Sequence, residues 1–93
     1  MIYRIPKNIS WQAVDDLLWI IDEKTQELYV SCNEVSIIIW KRLFYGEDDE
    51  KIKAFLYNVY QAQEINSDVQ EFINRLVSKG MLEYDKSICN NVN

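Results

Sequence analysis

The stretch Glu27-Leu28-Tyr29-Val30-Ser31-Cys32-Asn33-Glu34 holds two kinds of structure, and the change between them decides the fold. Up to Ser31 the side chains alternate. Leu28 and Val30 fall on one face and Tyr29 on the other, which is the period of a β-strand. Asn33 ends that regime. It is a good N-cap residue, and behind it Val35, Ile38, Ile39 and Leu43 recur at helical spacing. Gly46 supplies the stop just past Tyr45. The chain before this stretch reads as strands and the chain after it as helices.

Upstream, Ile9, Trp11 and Ala13 alternate with Ser10, Gln12 and Val14, giving a strand with one apolar face. Asp15-Asp16 forms a turn. Leu17-Leu18-Trp19-Ile20-Ile21 is continuously apolar, the pattern of a central strand covered on both faces. Asp22–Gln26 is a polar hairpin loop leading to the strand Glu27–Ser31. Downstream, Glu47-Asp48-Asp49 places carboxylates at the start of a second helix, where the macrodipole favours them. Ile52, Phe55, Leu56 and Val59 form its apolar stripe, with an end near Tyr60. Residues 61–66 read as a polar connector. Ser67-Asp68-Val69-Gln70 matches a capping box, with Ser67 as N-cap. Val69, Phe72, Ile73, Leu76 and Val77 give the third helix its stripe, Gly80 ends it, and Met81 folds back on its last turn.

Strands joined by tight turns cannot form a parallel sheet, which needs long crossovers. The expected fold is therefore α+β, a three-stranded antiparallel sheet followed by three helices and covered by them on one face. One domain spanning residues 1–93 is expected, with its core at about 9–84 and a flexible polar tail at 85–93.

Composition removes most other classes. The 93 residues are 48% hydrophobic with two glycines and one proline, so disorder and low complexity are excluded. Fifteen acidic against ten basic residues give a net charge of -5, a poor match for a partner held by its phosphates. There is no histidine, hence neither the usual general base nor the commonest transition-metal ligand. Cys32 and Cys89 lie too far apart in sequence for a metal pair, and the chain is apolar enough not to need a disulfide, so both are expected reduced. The acidic loops Asp15-Asp16, Asp22-Glu23 and 47–50 lack the glycine and oxygen spacing of a calcium loop. No catalytic residue, metal or cofactor is expected. The N-terminal residues carry no signal-peptide pattern, and the longest apolar runs are far short of the roughly 20 residues that span a bilayer. A cytoplasmic protein without a membrane partner follows. Trp11, Trp19 and Trp40 read as core or rim anchors.

One feature points to binding. The strand Glu27–Ser31 would lie at a sheet edge, and it contains no proline, glycine or lysine to discourage pairing with another chain. The competing reading is an edge covered by the protein's own helix or by residues 2–5.

The same residues carry a family resemblance. Leu28-Tyr29-Val30-Ser31-Cys32-Asn33-Glu34 leads into Ile39-Trp40-Lys41-Arg42-Leu43. After a loop and a helix come Asp68-Val69-Gln70-Glu71-Phe72-Ile73-Asn74-Arg75-Leu76 and Gly80-Met81-Leu82. In order and spacing this resembles the PqqD-like family, whose members act as RiPP recognition elements, over roughly residues 9–84. Ile73 and Met81 replace leucines of the family pattern, conservatively by volume. Cys32 stands where leucine is common, as a small buried hydrophobe would.

The resemblance implies a winged helix-turn-helix-like domain and a non-catalytic role. Such proteins capture the leader segment of a ribosomally synthesised precursor peptide. They present it to a maturation enzyme, either a lasso-peptide protease or cyclase or a radical SAM enzyme. The leader lies as an added antiparallel strand beside the third strand, in a groove walled by the third helix. By position, the strand platform is Glu27, Leu28, Tyr29, Val30 and Ser31, and the groove wall is Val69, Phe72, Arg75, Leu76 and Lys79. Ile73 and Val77 point to the core. Without peptide, the same edge would pair with a second copy to give a homodimer. The alternatives are a generic interaction domain and a winged-helix DNA-binding protein. The charges of the third helix (Arg75 and Lys79 against Asp68 and Glu71) sum to zero, so nucleic acid is not an expected partner.

Overall fold

A computed structural model describes residues 1–85. The chain order is β1 (Tyr3–Arg4), β2 (Ile9–Val14), β3 (Leu17–Asp22), β4 (Glu27–Ser31), α1 (Glu34–Phe44), α2 (Asp49–Tyr60), α3 (Ile65–Ser78) and β5 (Glu83–Tyr84). The mixed α+β class, with a three-stranded antiparallel sheet (β2–β4) followed by three helices, is as the sequence expects.

β2, β3 and β4 form the three-stranded antiparallel sheet, with β3 in the middle. Register sets Trp11 opposite Ile20 and Ile20 opposite Tyr29. These side chains share the sheet face turned toward the helices, because side chains on paired residues point the same way. Leu18 and Ile20 are fully buried there. The expectation that β3 is covered on both faces is corrected. Its other row, Leu17, Trp19 and Ile21, is exposed or half-buried, and Val14, Leu28 and Val30 beside it are each about half exposed. Three helices suffice to cover one side of a small sheet, and they leave the second bare.

α1 begins as its sequence predicts. The Asn33 side chain accepts a hydrogen bond from the Val35 amide at 2.8 Å. It ends in a Schellman motif. Gly46 adopts a φ of 82°, its N–H donates to the Leu43 carbonyl, and the Glu47 N–H donates to that of Arg42. α3 ends the same way, with Gly80 at φ 73°, Gly80 N–H to Val77 and Met81 N–H to Leu76. Met81 is thereby fully buried. Asp48 caps α2 through the Glu50 amide. Its carboxylate also holds the Met1 ammonium at 2.7 Å, which lowers the Asp48 pKa.

Four further readings are corrected. α3 starts at Ile65, with Glu64 in the cap position and no side-chain cap, so the Ser67–Gln70 capping box does not form. Ser67 instead donates to the Glu64 carbonyl, and Gln70 accepts from Lys53. Burial of Ile65 in the core carries the helix three residues further back. On α2, Ile52 and Leu56 are buried, whereas Val59 is exposed and Phe55 lies under the Arg42 guanidinium at 3.5 Å. Cys32 is exposed, not buried, because it follows the last strand residue on the way to α1. Finally, β1 pairs with β5, Tyr3 opposite Tyr84, in a ribbon that the sequence reading did not contain. Asp85 extends it, donating its amide to the Ile2 carbonyl at 3.0 Å, so the expected tail does not begin there. The remainder of that tail, and Cys89, lie outside the described residues.

The core gathers Leu18 and Ile20 from the sheet with Ile39, Trp40 and Leu43 from α1. Ile52 and Leu56 of α2, Val69, Ile73 and Leu76 of α3, and Met81 and Leu82 complete it. Trp11 packs edge-on against Trp40 with ring centroids 6.0 Å apart. Of the three tryptophans, then, Trp40 is core, Trp11 its partly buried neighbour, and Trp19 lies on the bare face.

Candidate functional site

β4 is an edge strand, and among the described residues no backbone pairs with its outer side. Residues 2–5, which could have covered it, are engaged near β5 instead. Which amides point into that vacancy follows from one hydrogen bond. The Glu23 N–H donates to the Asn8 carbonyl at 2.8 Å, placing the Glu23 backbone polar groups toward β2. Polar groups of successive strand residues point to opposite sides, so those of Asp22 point toward β4. By the observed register Glu27, Tyr29 and Ser31 therefore bond to β3. Leu28 and Val30 direct their N–H and C=O groups outward.

Two residues hold the hairpin in that register. Gln26 adopts a φ of 67°, and its N–H returns to the Asp22 carbonyl at 2.7 Å. The Asp22 carboxylate accepts from the Asn8 side chain at 2.8 Å and from the Lys24 amide at 2.9 Å. The Asn8 bond is the main reason its pKa lies below the usual value. A non-glycine residue at positive φ needs such over-determination to persist.

Alongside β4 runs a groove of about 290 Å³, formed with α3 and the start of α1. Within it the Tyr29 and Phe72 rings pack on each other, with ring centroids 6.0 Å apart and planes tilted by 59°. Val35, Ile39 and Ile65 complete the apolar lining, and Asp68, Glu71 and Arg75 stand on the α3 side. At one end Lys79 reaches Glu27 at 3.2 Å. A groove that sets an aromatic pair among polar and charged side chains, beside unpaired main chain, is the geometry for holding an extended peptide. Backbone bonds provide the grip, and pockets for alternate side chains provide the choice.

The structure brings together most of the sequence-predicted site. Glu27–Ser31 form the edge, Phe72 and Arg75 line the groove, and Lys79 pairs with Glu27 at the start of the edge, outside the lining. Val69 and Leu76 do not line it, for both are fully buried in the core. At 100° per residue they lie about 40–60° around the helix from Phe72, on the side away from Arg75, and that rotation turns them inward. Ile73 is buried and Val77 packs on the core, as expected. Leu28 and Val30 offer their backbone to the edge, while their side chains belong to the bare sheet face. The sequence reading missed Asn33, Val35, Ser36, Ile39, Ile65, Asp68 and Glu71 as lining residues. The two acids could have been found, since they share a helical stripe with Arg75.

The family model described as coenzyme PQQ synthesis protein D (PqqD) matches residues 19–82. The chain belongs to the PqqD family. Two solved structures are similar in fold. One is described as TbiB1 in complex with the TbiA(beta) leader peptide. It superposes with a TM-score of 0.78 at 22% identity, covering 86% of this chain and 94% of that one. The other is a lasso peptide synthetase B1 complexed with the leader peptide, with a TM-score of 0.77 at 21% identity, covering 88% and 98%. A search of curated proteins gives no match. At such identities the likeness establishes a shared fold, and the PqqD assignment rests on the family model.

Among the described residues of this PqqD-family chain, no group of three or more His, Cys, Asp or Glu is placed to hold a metal ion. No helix among them is long and apolar enough to cross a membrane.

Proposed function

We propose that this PqqD-family protein is a non-catalytic recognition module. It binds the leader of a ribosomally synthesised precursor peptide as a fourth strand of its sheet and presents it to a maturation enzyme. One observation carries the reading: the outward Leu28 and Val30 backbone is unpaired among the described residues and stands beside the Tyr29–Phe72 groove. That two similarly folded proteins were solved with leader peptides supports it. The site residues are then Glu27–Ser31 for backbone pairing and register, Phe72 as the apolar wall, and Arg75 and Lys79 on the rim.

The partner enzyme is a peptidase of the lasso type or a radical SAM enzyme, met in the cytoplasm where ribosomal peptides are made. The bare sheet face is suited to it. Val14, Leu17, Leu28 and Val30 form an exposed apolar patch continuous with the edge, and such patches mark interaction surfaces. An enzyme docked there would touch the outward side chains of the captured strand.

The test is an NMR titration of the full chain with synthetic leaders taken from precursor genes beside its own. A cognate leader of some 10–20 residues should bind with a Kd of order 1 μM or tighter, about -8 kcal/mol. The largest amide shifts should fall at Leu28, Val30 and Phe72. Shifts confined to other surfaces would refute the assignment.

A further inference from the structure

The groove has an electrical direction, and that direction dictates which way round a guest can lie. α3 runs antiparallel to β4. Its C-terminal end meets the start of β4 through Lys79 and Glu27, its middle meets Tyr29 through Phe72, and its N-terminal end lies with Asn33 and Ser36 at the groove's other end. Along that line the charges separate. Asp68 and Glu71 lie on the N-terminal side of Phe72, and Arg75 on the C-terminal side. All three are exposed, all three line the groove, and among the described residues none of their side chains makes a hydrogen bond or ion pair. Glu71 and Arg75 are spaced four apart, where a helix commonly pairs such residues, yet they are not bridged. Lys79, by contrast, is already neutralised by Glu27.

We infer that this groove selects a peptide with a cationic residue N-terminal, and an anionic residue C-terminal, to the side chain seated against the Tyr29–Phe72 pair. The inference rests on the strand-capture reading above and specifies its substrate. A guest antiparallel to β4 enters with its N-terminal half beside Ser31 and Asn33, and hence beside Asp68 and Glu71. It leaves toward Glu27, past Arg75. Helical rise places Asp68 about 6 Å and Arg75 about 4.5 Å along the groove from Phe72. A strand covers about 6.6 Å in two residues, and residues two apart share a face. The favoured pattern is therefore Lys or Arg, any residue, an apolar or aromatic anchor, any residue, Asp or Glu. Reversing it sets acid against Asp68 and base against Arg75. Exposed pairs of this kind change affinity modestly, about two- to fivefold each, so they act on direction and register rather than on grip.

The experiment is a selection from a displayed library of random 12-residue peptides on the full chain. A parallel selection on Val30→Pro defines the pool that depends on the β4 edge. In that pool the base–anchor–acid order should exceed the acid–anchor–base order by about threefold or more. The double variant Asp68→Lys with Arg75→Glu should reverse the preference, and high salt should flatten it. Equal frequencies of the two orders, or the same preference in the double variant, would overturn the inference and leave strand capture standing. Absence of any pool sensitive to Val30→Pro would overturn strand capture, and the polarity with it.

Discussion

Lys79 and Glu27, 52 positions apart, meet at 3.2 Å and fasten the last turn of α3 to the first residue of β4. Both side chains are partly exposed, at 34% and 45%. Water and salt therefore screen the pair, and its coupling should lie within about 0–1 kcal/mol. A double-mutant cycle with Glu27→Gln and Lys79→Met, read by denaturant unfolding, should return a value in that range. It should shrink further in high salt. A coupling of several kcal/mol would mean that this contact, rather than the apolar core, sets the spacing of the groove.

Val30→Pro and Tyr29→Pro should behave in opposite ways, although the residues are neighbours on one strand. The Val30 N–H points away from β3, so its loss leaves the β3–β4 ladder intact while removing a donor from the free edge. The variant should keep a native circular dichroism spectrum and lose peptide binding by about tenfold or more. Tyr29→Pro removes a bond to β3 and the ring that faces Phe72, and should lower stability by several kcal/mol. If Val30→Pro binds a leader as the parent does, the edge is not where the peptide lies.

Leu76→Ala and Phe72→Leu separate the core from the groove. Leu76 is fully buried and out of reach of a guest, so truncation should cost about 2–5 kcal/mol of stability. Affinity, measured on the folded protein, should be unchanged. Phe72 is 6% exposed at the groove wall. Leucine there should cost less than truncation and weaken an apolar-anchored peptide severalfold. Equal effects of both substitutions on affinity would count against this division.

Stability should fall with rising pH above the range in which most soluble domains are measured. Burial, helped by the Asp49 carboxylate, raises the Tyr3 phenol from its ordinary value near 10 to about 12. The folded state thus holds that proton more tightly than the unfolded chain. The associated stability is complete below about pH 10 and is lost as pH approaches 12. Tm measured from pH 9 to 12 should decline, and Tyr3→Phe should flatten the part of the decline that belongs to this phenol. An unchanged slope in the variant would assign the alkaline loss to other groups.

Sequence carried a good deal of this. Alternation in Ile9–Val14 and Glu27–Ser31 gave strands with the observed ends, since a period of two is short enough to show in six residues. Asn33, Gly46 and Gly80 marked helix boundaries because each answers a backbone requirement at its own position. β1 and β5 escaped because two residues carry no period at all. The start of α3 was misplaced because Ser67 has cap chemistry, but burial of Ile65 outweighed it. For the site, the absence of blocking residues made the β4 edge legible. Which amides face the vacancy depends on the hydrogen-bond phase of the hairpin, and side-chain pattern does not encode that. The α1 contribution to the groove also needed three dimensions, because Val35 and Ile39 read equally well as plain core.

The ribbon of Tyr3–Arg4 with Glu83–Tyr84 joins segments separated by nearly the whole described length. On a ribosome this clasp cannot close until residue 84 has cleared the exit tunnel. The β2–β3–β4 meander emerges well before that, at a time when no helix yet shields its inner face. During synthesis the nascent sheet is sticky on both sides and along β4. Whatever spares the emerging chain from pairing with its neighbours on a polysome must act in that interval.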